Sequence, residues 1–180
     1  GKLDTPPDVS HFCPEAFFEC PENLAIQRAL FGGSRSRDQS LSDTVSEFSG
    51  ELKIELRRFI DRYELDLLLP QNILAIPMHV PLGLAVTALA EEGMPILAHH
   101  HDFSWERARF EGGCAGDYLQ RAFPPALSER FLHVVINSGA GKDLFQRRGV
   151  PSSVIPNVFD FENPPSAPDG YGDDFRDQLG

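Results

Sequence analysis

The feature that most constrains this chain is an alternation. From residue 65 to residue 156, short apolar runs of strand length are separated by segments with helical signals. Residues 65–69 (LDLLL), 94–98 (MPILA), 131–136 (FLHVVI) and 153–156 (SVIP) each read as buried strands. Between them, residues 81–92 form an expected helix with Pro81 in its first turn and Gly93 after its end. A short helix is expected over 121–129, and another over 142–148 that stops at Gly149. Ahead of the first strand, Val45, Phe48, Leu52, Leu56, Phe59 and Ile60 recur at three- and four-residue steps, which predicts an amphipathic helix over 40–63. Strands alternating with helices predict an α/β fold: an open, Rossmann-like, mostly parallel sheet with flanking helices. Ligands of such sheets lie beyond the carboxyl ends of the strands, here residues 70–79, 99–105, 137–141 and 156–160.

The 180 residues suffice for one such unit with a core that needs no disulfide or metal staple. Residues 1–40 are poorly patterned, broken by Pro6, Pro7, Pro14 and Pro21. Residues 41–161 carry the lobe, and residues 162–180 read as an interdomain linker followed by the start of another helix. No charged residue occurs from Leu67 to Ala90, but Pro70, Pro77 and Pro81 cut that stretch into strand, turn and helix rather than a membrane span. A net charge of −11 with scattered Lys and Arg argues against a nucleic-acid partner. Cys13, Cys20 and Cys114 are odd in number and lack a CxxC spacing, which fits reduced thiols in a cytoplasmic protein. Membrane association of a larger parent enzyme is left open by the sequence.

The densest polar cluster, His99-His100-His101-Asp102-Phe103-Ser104-Trp105-Glu106-Arg107, follows the second strand. Side chains alternate along a strand, so His99 and His101 share one face and His100 takes the other. His101 at the ligand edge is the leading candidate for chemistry. An HxH pair with Asp102 also fits a small metal-dependent hydrolase, with His79 and His133 as further ligands, although no ligand spacing links them. Trp105 reads equally as a platform for a sugar ring or as an anchor for its loop. Ser138-Gly139-Ala140-Gly141-Lys142 is not a phosphate loop, since Ile136 and Asp143 stand where Gly and Ser or Thr are needed. Asn137 and Ser138 read as a helix cap or as ligand contacts.

Four segments together resemble family-4 glycosyltransferases of the GT-B fold: residues 72–85 (NILAIPMHVPLGLA), 95–110 (PILAHHHDFSWERARF), 135–138 (VINS) and 154–160 (VIPNVFD). The last resembles the motif that ends the first lobe in that family, with Val158 where glycine is common. The resemblance implies two Rossmann-like lobes facing across a cleft, the first holding a sugar or glycan acceptor and the second a nucleoside-diphosphate sugar as donor. It also implies transfer of a hexosyl group, mannosyl by the likeness of the HDFxWER segment, with retention of configuration and no essential metal. By position, His101 matches the family's strand-end histidine and is expected to be catalytic, with Asp102 beside it. His99, Trp105, Glu106, Arg107, Asn137 and Ser138 are expected around the sugars, and Asn157 and Asp160 at the interdomain cleft. The family's first strand and glycine-rich turn are not visible before residue 40, and no second lobe follows. The expectation is therefore a chain truncated at both ends, inactive without its donor-binding lobe in cis. A non-catalytic binding module is the third reading, favoured if a complete chain ended near Gly180.

Overall fold

The structure, a computed structural model, describes residues 6–126 and 130–158. In chain order its elements are α1 (Pro21–Phe31), α2 (Gln39–Tyr63), α3 (Val80–Glu91), β1 (Ile96–His100), α4 (Gly116–Ala122), β2 (Phe131–Val135), α5 (Ser138–Arg148) and β3 (Ser153–Val154). The strands form a parallel sheet in the order β1-β2-β3, with Ile96 opposite Phe131 and Val134 opposite Ser153. This is the expected α/β lobe, a parallel sheet flanked by helices.

α2 has the predicted amphipathic pattern. Asp38 caps it by accepting a hydrogen bond from the Leu41 amide at 2.8 Å, and Glu64 ends it in a left-handed conformation. Val45, Phe48 and Leu52 form its buried stripe, packed with the almost wholly buried α3. Gly83, inside α3, is required by close packing: a Cβ there would lie 2.2 Å from the Phe123 ring. The main core joins these helices to Leu68, Ile96, Ala98 and Phe131 of the sheet. A smaller cluster of Ala75, Ile76, Phe103, Phe110, Val135, Leu144 and Val150 underlies the loops at the strands' carboxyl ends.

Four expectations need correction. Residues 65–69 do run parallel to β1, but only as isolated bridges, Leu68 to Ile96 and Gln71 to His99. Leu68 donates to the Pro95 carbonyl and accepts from Leu97, and Pro70 accepts from His99. Pro70 has no N–H to continue the ladder, so the strand is interrupted there. The segment is also not covered on both faces: Leu67 and Leu69 are each 49% exposed, and Leu132 on β2 is 65% exposed. The helix expected over 121–129 lies earlier, at Gly116–Ala122, because Pro124 and Pro125 cannot continue it, and residues 127–129 fall outside the described residues. α5 begins at Ser138 rather than at 142, because Asn137 caps it. Finally, residues 1–40 contain α1, which starts on Pro21 and buries Asn23, Ile26 and Leu30. Its anchors are side-chain amides: Asn23 donates to the Phe18 and Met78 carbonyls, and Gln27 to that of Pro77. Three inward positions in eleven residues that open on a proline are too few for periodicity to reveal. The expected linker and second-lobe start at 162–180 lie outside the described residues, as does Asp160.

Candidate functional site

The site is built where the chain leaves β1. The alternation of a strand divides its histidines as expected. His100 turns into the core, fully buried, and its Nε2 lies 2.9 Å from Nδ1 of buried His133 on the neighbouring strand. Burial pushes His100 down to about 3 and His133 to about 4, so both are neutral near pH 7. The two rings stack, and this pair belongs to the sheet rather than to a solvent-facing site.

His99 and His101 occupy the opposite side, with ring centroids 4.8 Å apart. Oε1 of Gln71 lies 2.9 Å from His99 Nδ1 and 3.4 Å from His101 Nε2. His101 then lines an open cleft of about 500 Å³ with Glu106, Asn137, Gly139, Ala140, Lys142, Asp143 and Gln146. The carboxyl ends of β1 and β2 and the first turns of α5 therefore share one concavity, the place where an open α/β sheet receives its ligand.

The loop after β1 is held by its own polar residues. Asp102 accepts from Asn72 Nδ2 at 2.7 Å on one oxygen and pairs with the Arg107 guanidinium on the other, Nε lying 2.9 Å away. Glu106 accepts from the Phe103 amide at 2.9 Å. Trp105 stacks on the fully buried Phe103, with ring centroids 4.4 Å apart, and its indole N–H donates to Asp143 of α5 at 2.8 Å. Arg147 lies over the same indole. The loop is thus tied to α5 on the far side of the cleft. On that side Asn137 spends its side-chain oxygen on the Ala140 amide at 2.8 Å, and Ser138 is the exposed first residue of α5. Asn157 is exposed beyond β3.

The histidines do not assemble a metal site. Among the described residues, no three His, Cys, Asp or Glu side chains come together as a ligand set. His79 sits at the start of α3, with Nδ1 accepting from Leu82 and Nε2 beside the Glu15 carbonyl. His133 is buried against His100, and Asp102 is occupied by Asn72 and Arg107. The hydrolase reading loses its constellation on this geometry. No helix among the described residues is long and apolar enough to cross a membrane.

Gln71 and Asn72 are the site residues that sequence patterning does not single out. Their place in the strand-edge range 70–79 marks them, and Asn72 also opens the 72–85 segment that carries the resemblance.

Over 161 residues, 87% of its length, the chain is 35% identical to the mannosylglucosylglycerate synthase of Thermotoga maritima, of which it covers 36%. Over 169 residues, 91% of its length, it is also 35% identical to the protein of the same name from Petrotoga mobilis, of which it covers 38%. The chain thus spans little more than a third of the curated relatives it matches. No family model matches it. No solved structure does either.

Proposed function

We propose that this chain is the acceptor-side lobe of a nucleotide-sugar-dependent glycosyltransferase, and that the cleft at His101 is its share of the active site. The observation that carries this reading is the cleft itself. A half-buried imidazole, a tied-down aromatic loop and a helix amino terminus converge beyond the carboxyl ends of parallel strands, in a chain similar along 87% of its length to a mannosylglucosylglycerate synthase. The relatives' remaining length leaves room for a donor-binding lobe, and turnover is assigned to the two lobes together.

In this reading His101 reaches the transferring hexose and stabilises charge as the bond between sugar and nucleotide breaks. Asp102 acts beside it by holding the loop, since both its oxygens are already engaged. Trp105 and Glu106 shape the cleft wall, with His99 and Arg107 behind it. Asn137 and Ser138 place the positive end of the α5 dipole at the cleft, and Asn157 and Asp160 are assigned a role at the interdomain cleft. Transfer proceeds with retention of configuration and without an essential metal. The product for which the relatives are named puts mannose first among donor sugars and glucosylglycerate first among acceptors.

The test is a donor and acceptor panel on the full-length protein that carries this chain. Nucleoside diphosphate should appear only when a nucleotide hexose and a sugar acceptor are both present, and NMR of the product should show the anomeric configuration of the donor. Release of sugar to water alone, or no consumption of any nucleotide sugar, would remove this reading.

A further inference from the structure

Asn72 makes three hydrogen bonds to the end of β1 and the loop after it, at His99, His101 and Asp102. Its backbone N–H donates to the His99 carbonyl at 2.8 Å. Its Oδ1 accepts from the His101 N–H at 2.9 Å, and its Nδ2 donates to Asp102 Oδ1 at 2.7 Å. The residue adopts φ 59°, a left-handed conformation that asparagine tolerates better than other side chains apart from glycine. This turn is what aims the amide back at the neighbouring segment. Pro70 precedes it and withholds an N–H from the ladder, so the pairing of the two segments is completed by Gln71 and Asn72 rather than by a continuous strand. The second oxygen of Asp102 is taken by Arg107, which leaves Asn72 as the group that joins the 70–79 loop to the His101 backbone.

We infer that Asn72 is a positioning residue for glycosyl transfer, a clasp whose side-chain amide fixes His101 and Asp102 at the mouth of the cleft. The inference rests on the reading of that cleft as the transfer site. Asparagine suits the task because one planar group supplies an acceptor and a donor in opposite directions. Aspartate would keep the acceptor for His101 but set a carboxylate against Asp102. Glycine would keep the left-handed backbone and delete the clasp alone.

Kinetics of the full-length protein, measured well below the melting temperatures of all variants, test the inference. Asn72→Gly and Asn72→Asp should each lower kcat by about 10- to 100-fold, with KM for the donor within about 3-fold of wild type, as expected when a reacting group is displaced by a fraction of an ångström to an ångström. Wild-type kcat in Asn72→Gly, with only a lowered melting temperature, would overturn the inference by showing a merely structural role. Amide exchange reads the clasp without turnover: the His101 N–H should exchange at least about 10-fold faster in Asn72→Gly while the buried Ala98 N–H is unchanged. Unchanged His101 exchange would sink the clasp, whereas a wild-type protein without transferase activity but with this exchange pattern would sink only the functional reading.

Discussion

His100 and His133 illustrate how a single pair of side chains sets a property of the folded chain. Their rings share one hydrogen bond inside the sheet, and His100 Nδ1 and His133 Nε2 have no partner there. Folding therefore favours the neutral imidazoles, with values near 3 and 4 against an ordinary 6.5. Below pH 6.5 the unfolded chain takes up protons that the folded chain refuses. Stability should be full above that value and fall as the pH drops toward 4, by about 2 kcal/mol per imidazole at pH 5. Urea unfolding at pH 7, 6 and 5 should show this slope, and a His100→Leu, His133→Leu double variant should flatten it to the residue contributed by buried His79, which burial also lowers. An identical slope in the double variant would place the acid sensitivity elsewhere. At the same scale, the strand alternation made the division of the three histidines legible from sequence. The role of Asn72 was not legible, because a left-handed turn and a side-chain clasp leave no periodic trace. Trp105 was open for a related reason: only coordinates show its indole committed to Phe103 and Asp143.

Among the elements, the long amphipathic α2, α3 and the strand at β1 were legible because each carries several residues of one pattern in a row. The run at 65–69 was half legible. Its leucines specify an extended segment beside β1, but the proline that directly follows decides that the ladder is broken. α1 was hidden because its docking depends on the polar Asn23 and Gln27, which hydropathy does not count as inward-facing. The contact between α3 and the end of α4 gives an element-scale prediction. Gly83→Ala gains helix propensity of about 1 kcal/mol. It also drives a methyl into the Phe123 ring, which is only 2% exposed and has nowhere to move. Overpacking of this kind costs about 1–3 kcal/mol, so the net effect should be a lower melting temperature. An unchanged or raised melting temperature would mean that α3 and Phe123 separate more easily than their packing suggests. The Arg37 guanidinium, bound to both oxygens of Asp117 and to the Cys114 carbonyl, pins the approach to α2 onto α4. Asp117 is largely exposed but the Arg37 side chain is mostly buried and also lies over the Tyr118 ring, so Arg37→Ala should cost about 1–3 kcal/mol, measurable by urea unfolding.

At the scale of the whole molecule, the cleft is open on one side and one sheet face exposes Leu67, Leu69 and Leu132, where the proposed function places contact with a second lobe. In the proposed reading the 180 residues alone should bind a sugar acceptor weakly and transfer no sugar, whereas a protein that carries this chain together with a donor-binding lobe should bind the acceptor and transfer the sugar. A single turnover by the 180 residues would require the cleft at His101 to hold donor and acceptor by itself. The most direct test of the central claim is transferase turnover by the full-length protein with and without His101→Ala, each compared at the same folded concentration. The expected result is sugar transfer by the wild type and a loss of about 10²-fold or more in kcat for the variant, with the melting temperature nearly unchanged. Wild-type turnover by His101→Ala would contradict the placement of the active site at this cleft, and the absence of any transfer by the wild type would contradict the function itself.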